Sequence, residues 1–79
     1  MNPRVSKVVA KENFTLLVYF TNGEKGMYDV KPLLVLPVFK SLQKLDMFES
    51  VRVGNGNTVC WGEDIDICPD TVYLDSVKL

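Results

Sequence analysis

Glu63-Asp64-Ile65-Asp66 is the densest run of chemically capable side chains in the sequence. In an extended segment Asp64 and Asp66 point to one side, and Ile65 and Ile67 to the other. Two carboxylates on one face can hold a divalent cation or share acid/base work. The same run also reads as a solvated strand face with one carboxylate capping a following helix. It lacks the ligand spacing and glycine of an EF-hand loop. Trp61 stands just before it and Asp70 and Tyr73 just after, so an exposed Trp61 beside these acids would mark a binding surface. The alternative for Trp61 is core packing.

The other reactive candidates are few. Cys60 and Cys68 have no further cysteine and no histidine to complete a zinc site. Each reads as a small buried thiol, although Cys68, immediately before Pro69, would gain nucleophilicity as a thiolate at a helix start. Gly54-Asn55-Gly56 is a hairpin turn rather than a phosphate loop, because no helix follows it. With no histidine among 79 residues, histidine general bases, Ser/His and Cys/His dyads and histidine metal ligands are excluded. No enzyme class, cofactor or metal is expected.

Composition narrows the setting. A chain of 79 residues with 47% hydrophobic content supports one small domain over residues 1–79, with a modest core. No apolar run approaches the roughly 20 residues that span a bilayer, and the longest, Leu33 to Phe39, contains Pro37. Residues 1–5 lack the apolar stretch of a signal peptide, and two cysteines are too few for a secreted disulfide scaffold. A cytoplasmic location is expected. The net charge of −1 hides an asymmetry: residues 1–44 hold seven Lys/Arg against three Asp/Glu, and residues 45–79 hold two against seven. The imbalance either steers a basic partner or pairs one part of the fold with another. Scattered Lys/Arg in a slightly acidic chain give no footprint for direct nucleic-acid binding.

The elements that would position these residues follow from periodicity and turn chemistry. Val5–Ala10 reads as a first strand and Lys11-Glu12-Asn13 as a turn. Phe14–Phe20 is the clearest strand, with Phe14, Leu16, Val18 and Phe20 on one face. Thr21-Asn22-Gly23-Glu24 is a hairpin signal, followed by a strand over Lys25–Val30. A three-residue loop with Gly23 left-handed sets Leu16 opposite Tyr28 and Val18 opposite Gly26. That register keeps apolar groups on one face, whereas a two-residue turn would put Leu16 opposite Asp29. Pro32–Leu45 reads as helical, divided at Pro37 with a proper helix from about residue 38. Phe48–Val53 reads as a fourth strand, and Thr58–Trp61 as a fifth that resumes through Asp64–Ile67. Pro69 opens a short terminal helix, with Val72, Tyr73 and Val77 on its buried side. The expected fold is α+β: a small antiparallel sheet in the order β-β-β-α-β-β-α, with one main helix on one face and a short C-terminal helix.

These residues also carry a resemblance. Leu16-x-Val18-x-Phe20-x-Asn22-Gly23-Glu24, then Tyr28-Asp29-Val30-x-Pro32-Leu33-Leu34, Phe39-x-x-Leu42 and Phe48, and the ending Trp61, Asp66-Ile67-Cys68-Pro69-Asp70-Thr71-Val72-Tyr73 together resemble the bacterial domain-of-unknown-function family 2442. The match spans nearly the whole chain and departs at Gly62, where the family often has proline. Asp29, Trp61, Asp66, Pro69 and Tyr73 fall on its motif positions. The resemblance implies a small α+β fold of the kind seen as the N-terminal half of a two-domain protein whose other half is a helix-turn-helix domain. No such half stands before Leu79. It also implies a neighbour encoded alongside, in a toxin–antitoxin-like pair, and it implies no activity.

Two functional expectations result. The first is a non-catalytic module that binds another small, basic protein, or pairs with itself through sheet edges. The second is a small-ligand or metal-binding site at Trp61, Asp64, Asp66, Asp70 and Tyr73.

Overall fold

Alternation in the second strand does carry into tertiary structure: Leu16, Val18 and Phe20 are buried, and Thr15, Leu17 and Tyr19 between them are partly open. The computed structural model describes residues 2–79. Its strands are β1 (Val5–Lys11), β2 (Thr15–Phe20), β3 (Lys25–Asp29), β4 (Arg52–Val53), β5 (Val59–Trp61), β6 (Ile65–Ile67) and β7 (Val77–Lys78). The α-helices are α1 (Leu45–Glu49) and α2 (Pro69–Asp75). All strand pairs are antiparallel, in two sheets ordered β1-β2-β3-β7 and β4-β5-β6. The class is α+β.

The β2–β3 hairpin has the register that burial demands. Leu16 opposes Tyr28 and Val18 opposes Gly26, and the Phe20 N–H donates to the Glu24 carbonyl at 2.8 Å to close a three-residue loop. Gly23 takes φ +90° there, a conformation that costs glycine little. Phe14 falls just outside β2, at φ +56°, yet the Val30 N–H still donates to its carbonyl at 3.0 Å.

The expected main helix is replaced by shorter pieces. Lys31–Leu33 and Pro37–Gln43 are 3-10 turns, and the α-helical residues are Leu45–Glu49. Leu36 stands in an extended conformation at ψ 138°, as the ring of a following proline dictates. Lys44 is extended too, at ψ 124°, so no α-helix runs through the segment. Phe48 accordingly belongs to α1 rather than to a strand, and β4 is limited to Arg52–Val53. The fifth strand does not resume either. Gly62 at φ +61° reverses the chain, and Ile65–Ile67 returns as a separate strand, with Cys60 opposite Asp66. α2 does bury Val72, but Val77 leaves it to pair with Met27 in β7 and is 70% exposed.

One cluster of buried side chains draws on both sheets, including Leu16, Val18 and Tyr28 from the first and Val59, Trp61 and Ile67 from the second. Phe48 lies between them, edge-on to Phe14 at 5.1 Å and stacked on Trp61 at 6.3 Å. Burying a side chain of this size stabilises by roughly 1.5–3 kcal/mol. The sheets are also tied at the chain start: the Val5 N–H donates to the Asn57 carbonyl at 3.2 Å, and the Asn57 side-chain amide returns a bond to the Val5 carbonyl at 3.1 Å. No helix is long and apolar enough to cross a membrane among the described residues.

Candidate functional site

Alternation along β5 assigns the candidate residues to opposite sides of the second sheet. Val59 and Trp61 face the core, while Cys60, set between Arg52 and Asp66 by strand pairing, faces the other way. Trp61 is fully buried, and its indole N–H donates to the Phe48 carbonyl at 2.9 Å. A buried indole nitrogen needs such a partner. Trp61 therefore acts as a packing residue and offers nothing to solvent.

On the outer side, Arg52, Gly54, Thr58, Cys60, Glu63 and Asp66 line part of an open recess of about 360 Å3. The Arg52 guanidinium donates to the Gly62 carbonyl at 2.8 Å, which fastens the turn after Trp61 to β4. Gly54 is required by its neighbour, because a Cβ there would stand 2.6 Å from the Cys60 sulfur. Cys60 is buried and Cys68 exposed. Cys68 is the N-cap of α2 and makes no side-chain cap bond.

The acidic residues are spread over three supports. Asp64 stands in the 62–64 turn, Asp66 on β6 and Asp70 in the first turn of α2, all exposed. Of these only Asp66 lines the recess. Among the described residues no group of three His, Cys, Asp or Glu side chains is placed to hold a metal ion. The one ion pair among them is Lys31–Asp29 at 3.0 Å. No direct ion pair therefore joins the acidic second half to the basic first half among the described residues.

Tyr73 belongs to a different cluster. Its hydroxyl donates to Glu24 Oε1 at 2.6 Å, and its ring meets Phe20 edge-on at 5.0 Å. Lys78 lies over the ring at 4.1 Å from the centroid and donates to the Tyr73 carbonyl. The hydrogen bond from Tyr73, with one from Asn22, holds the Glu24 carboxyl below its ordinary pKa. The bond to Glu24 raises that of Tyr73. This network locks the β2–β3 loop to α2, and no feature of the sequence links Glu24 to Tyr73 across 49 positions. Asp29, another motif position, turns the chain after β3 by accepting the Lys31 backbone N–H at 3.0 Å.

Two antiparallel sheets closed over a shared aromatic core, with short helices and an exposed acidic run, define a small α+β domain. The chain belongs to a family described as proteins of unknown function, DUF2442, whose model matches residues 5–77. No curated protein and no solved structure matches the chain.

Proposed function

We propose that this domain is a non-catalytic protein-interaction module of the bacterial cytoplasm, one member of a toxin–antitoxin-like pair, whose acidic surface receives a small basic protein. The observation that carries this reading is the exposure of Glu63, Asp64, Asp66 and Asp70 with no ion pair to any described cation. Unpaired surface charge of one sign speeds encounter with the opposite sign and selects against like-charged partners. Binding through it weakens as salt rises.

The test is affinity capture from host lysate at low and high salt, with wild type beside a variant carrying Glu63→Gln, Asp64→Asn, Asp66→Asn and Asp70→Asn. One stoichiometric basic protein, lost at high salt and lost with the variant, is the expected result. Equal capture by both forms, or recovery of the domain alone, would sink the reading.

A second reading, a small-ligand site, is favoured by the recess that Asp66 shares with Arg52 and Cys60. It requires Asp66→Asn to abolish ligand binding while leaving thermal stability unchanged. A variant that mainly loses stability would make Asp66 a structural residue instead.

A further inference from the structure

We propose that the outer face of the four-stranded sheet is a second docking surface, for a partner segment with an apolar centre and carboxylates at its flanks. The face is organised by register. Val9 opposes Leu17, Leu17 opposes Met27, and Met27 opposes Val77. One apolar row therefore crosses all four strands, over a width of about 14 Å at the usual strand spacing. These side chains alternate with the buried ones, and none belongs to the hydrophobic cluster or to the residues packed against it. Val9, Leu17 and Met27 are partly open and Val77 is 70% exposed.

The rows on either side fix the chemistry of the occupant. Lys7 opposes Tyr19, which opposes Lys25; Lys11 opposes Thr15, which opposes Asp29. Lys7 lies over the Tyr19 ring, 5.3 Å from its centroid. Asp29, the carboxylate in these rows, is already engaged by Lys31. Three exposed lysines without an ion pair among the described residues therefore flank an apolar stripe. A two-fold partner copy would present the same lysine-bearing face, a like-charge match where an acid-flanked segment is complementary. An acid-flanked apolar segment meets both features at once. The face is independent of the acidic surface, which lies on β6, the 62–64 turn and α2.

The experiment is an NMR titration of the full chain with two synthetic amphipathic peptides of about 16 residues, long enough to form helix on contact. One peptide has a leucine stripe flanked by glutamates, the other by lysines, and phosphatidylglycerol vesicles form a third arm. The glutamate peptide is expected to shift the amides of Val9, Leu17 and Met27 and to bind at least about tenfold more tightly than the lysine peptide, with the advantage falling as salt rises. Leu17→Ser and, separately, Met27→Ser should remove binding without lowering the melting temperature. The four-fold neutralised acidic variant should bind the peptide unchanged, so the two surfaces fail or succeed separately. Equal binding of both peptides, shifts confined elsewhere, or loss of binding only through unfolding of both serine variants would overturn the proposal. So would vesicle binding in preference to the peptide, or self-association that shifts these same amides.

Discussion

The Tyr73 hydroxyl donates to Glu24 Oε1 at 2.6 Å, joining the tip of the β2–β3 hairpin to the C-terminal helix. The bond favours ionised Glu24 and neutral Tyr73, so its contribution depends on pH at both extremes.

Glu24 has a lowered pKa in the fold. Its contribution is therefore present above its ordinary value of 4.5 and lost as pH falls through the lower folded value. Tyr73, with a raised pKa, contributes fully below 10.0 and loses that contribution as pH rises through its folded value. Tyr73→Phe should lower the melting temperature slightly at neutral pH and flatten the acid limb of stability against pH. Thermal melts in a pH series, from neutral down to below 4.5, provide the check. An unchanged acid limb would show that the bond contributes nothing in solution.

Removing the Trp61 indole should be far more costly than removing the Tyr73 hydroxyl. Trp61→Phe deletes a buried donor and leaves the Phe48 carbonyl without its partner. The expected loss is about 2–4 kcal/mol, combining a cavity with an unmade hydrogen bond. Urea unfolding followed by circular dichroism measures it.

Gly62 separates backbone strain from crowding. A Cβ there meets nothing nearer than Met47 Cε at 3.7 Å, but φ is +61°. Gly62→Ala should cost about 1–2 kcal/mol from the left-handed backbone alone, and Gly62→Asn less. Gly62→Pro should cost more than either, because proline fixes φ near −65°. Denaturation midpoints of the three variants give the order, and a harmless proline would contradict the reversed turn seen here.

Gly54 presents the opposite case, where space decides. Its added Cβ would stand 2.6 Å from the Cys60 sulfur, so Gly54→Ala should destabilise by about 1–3 kcal/mol through overpacking. Adding Cys60→Ala should recover part of that loss, giving a favourable coupling in a double-mutant cycle. Additive losses would mean that the two sites do not touch.

How much of this was legible depended on the range of the governing interaction. The hairpin register could be read because a one-residue slip would turn Leu16, Val18 and Phe20 outward. The terminal helix could be read from Pro69. The break at Pro37 is legible in the sequence, but the α-helix expected from about residue 38 is not formed: Pro37–Gln43 winds as a 3-10 turn and ends at the extended Lys44, and composition alone does not separate the two. Phe48 reads as strand in the sequence yet lies in α1, where its ring packs against Phe14 and Trp61, residues far away in sequence. Among the candidate site residues, Asp64, Asp66 and Asp70 are exposed as a solvated acidic run would be, while Trp61 is wholly enclosed.

By itself the sequence determined the α+β class, the pairing of β2 with β3 and the acidic second half, since periodicity, turn chemistry and charge are properties of neighbouring residues. Only the tertiary structure decided that Trp61 turns inward, that Tyr73 reaches Glu24, and that no carboxylate of the second half forms an ion pair with a cation of the first among the described residues. Those outcomes depend on which distant side chains compete for the same buried space, and a contact of that kind exists only after the chain has closed on itself.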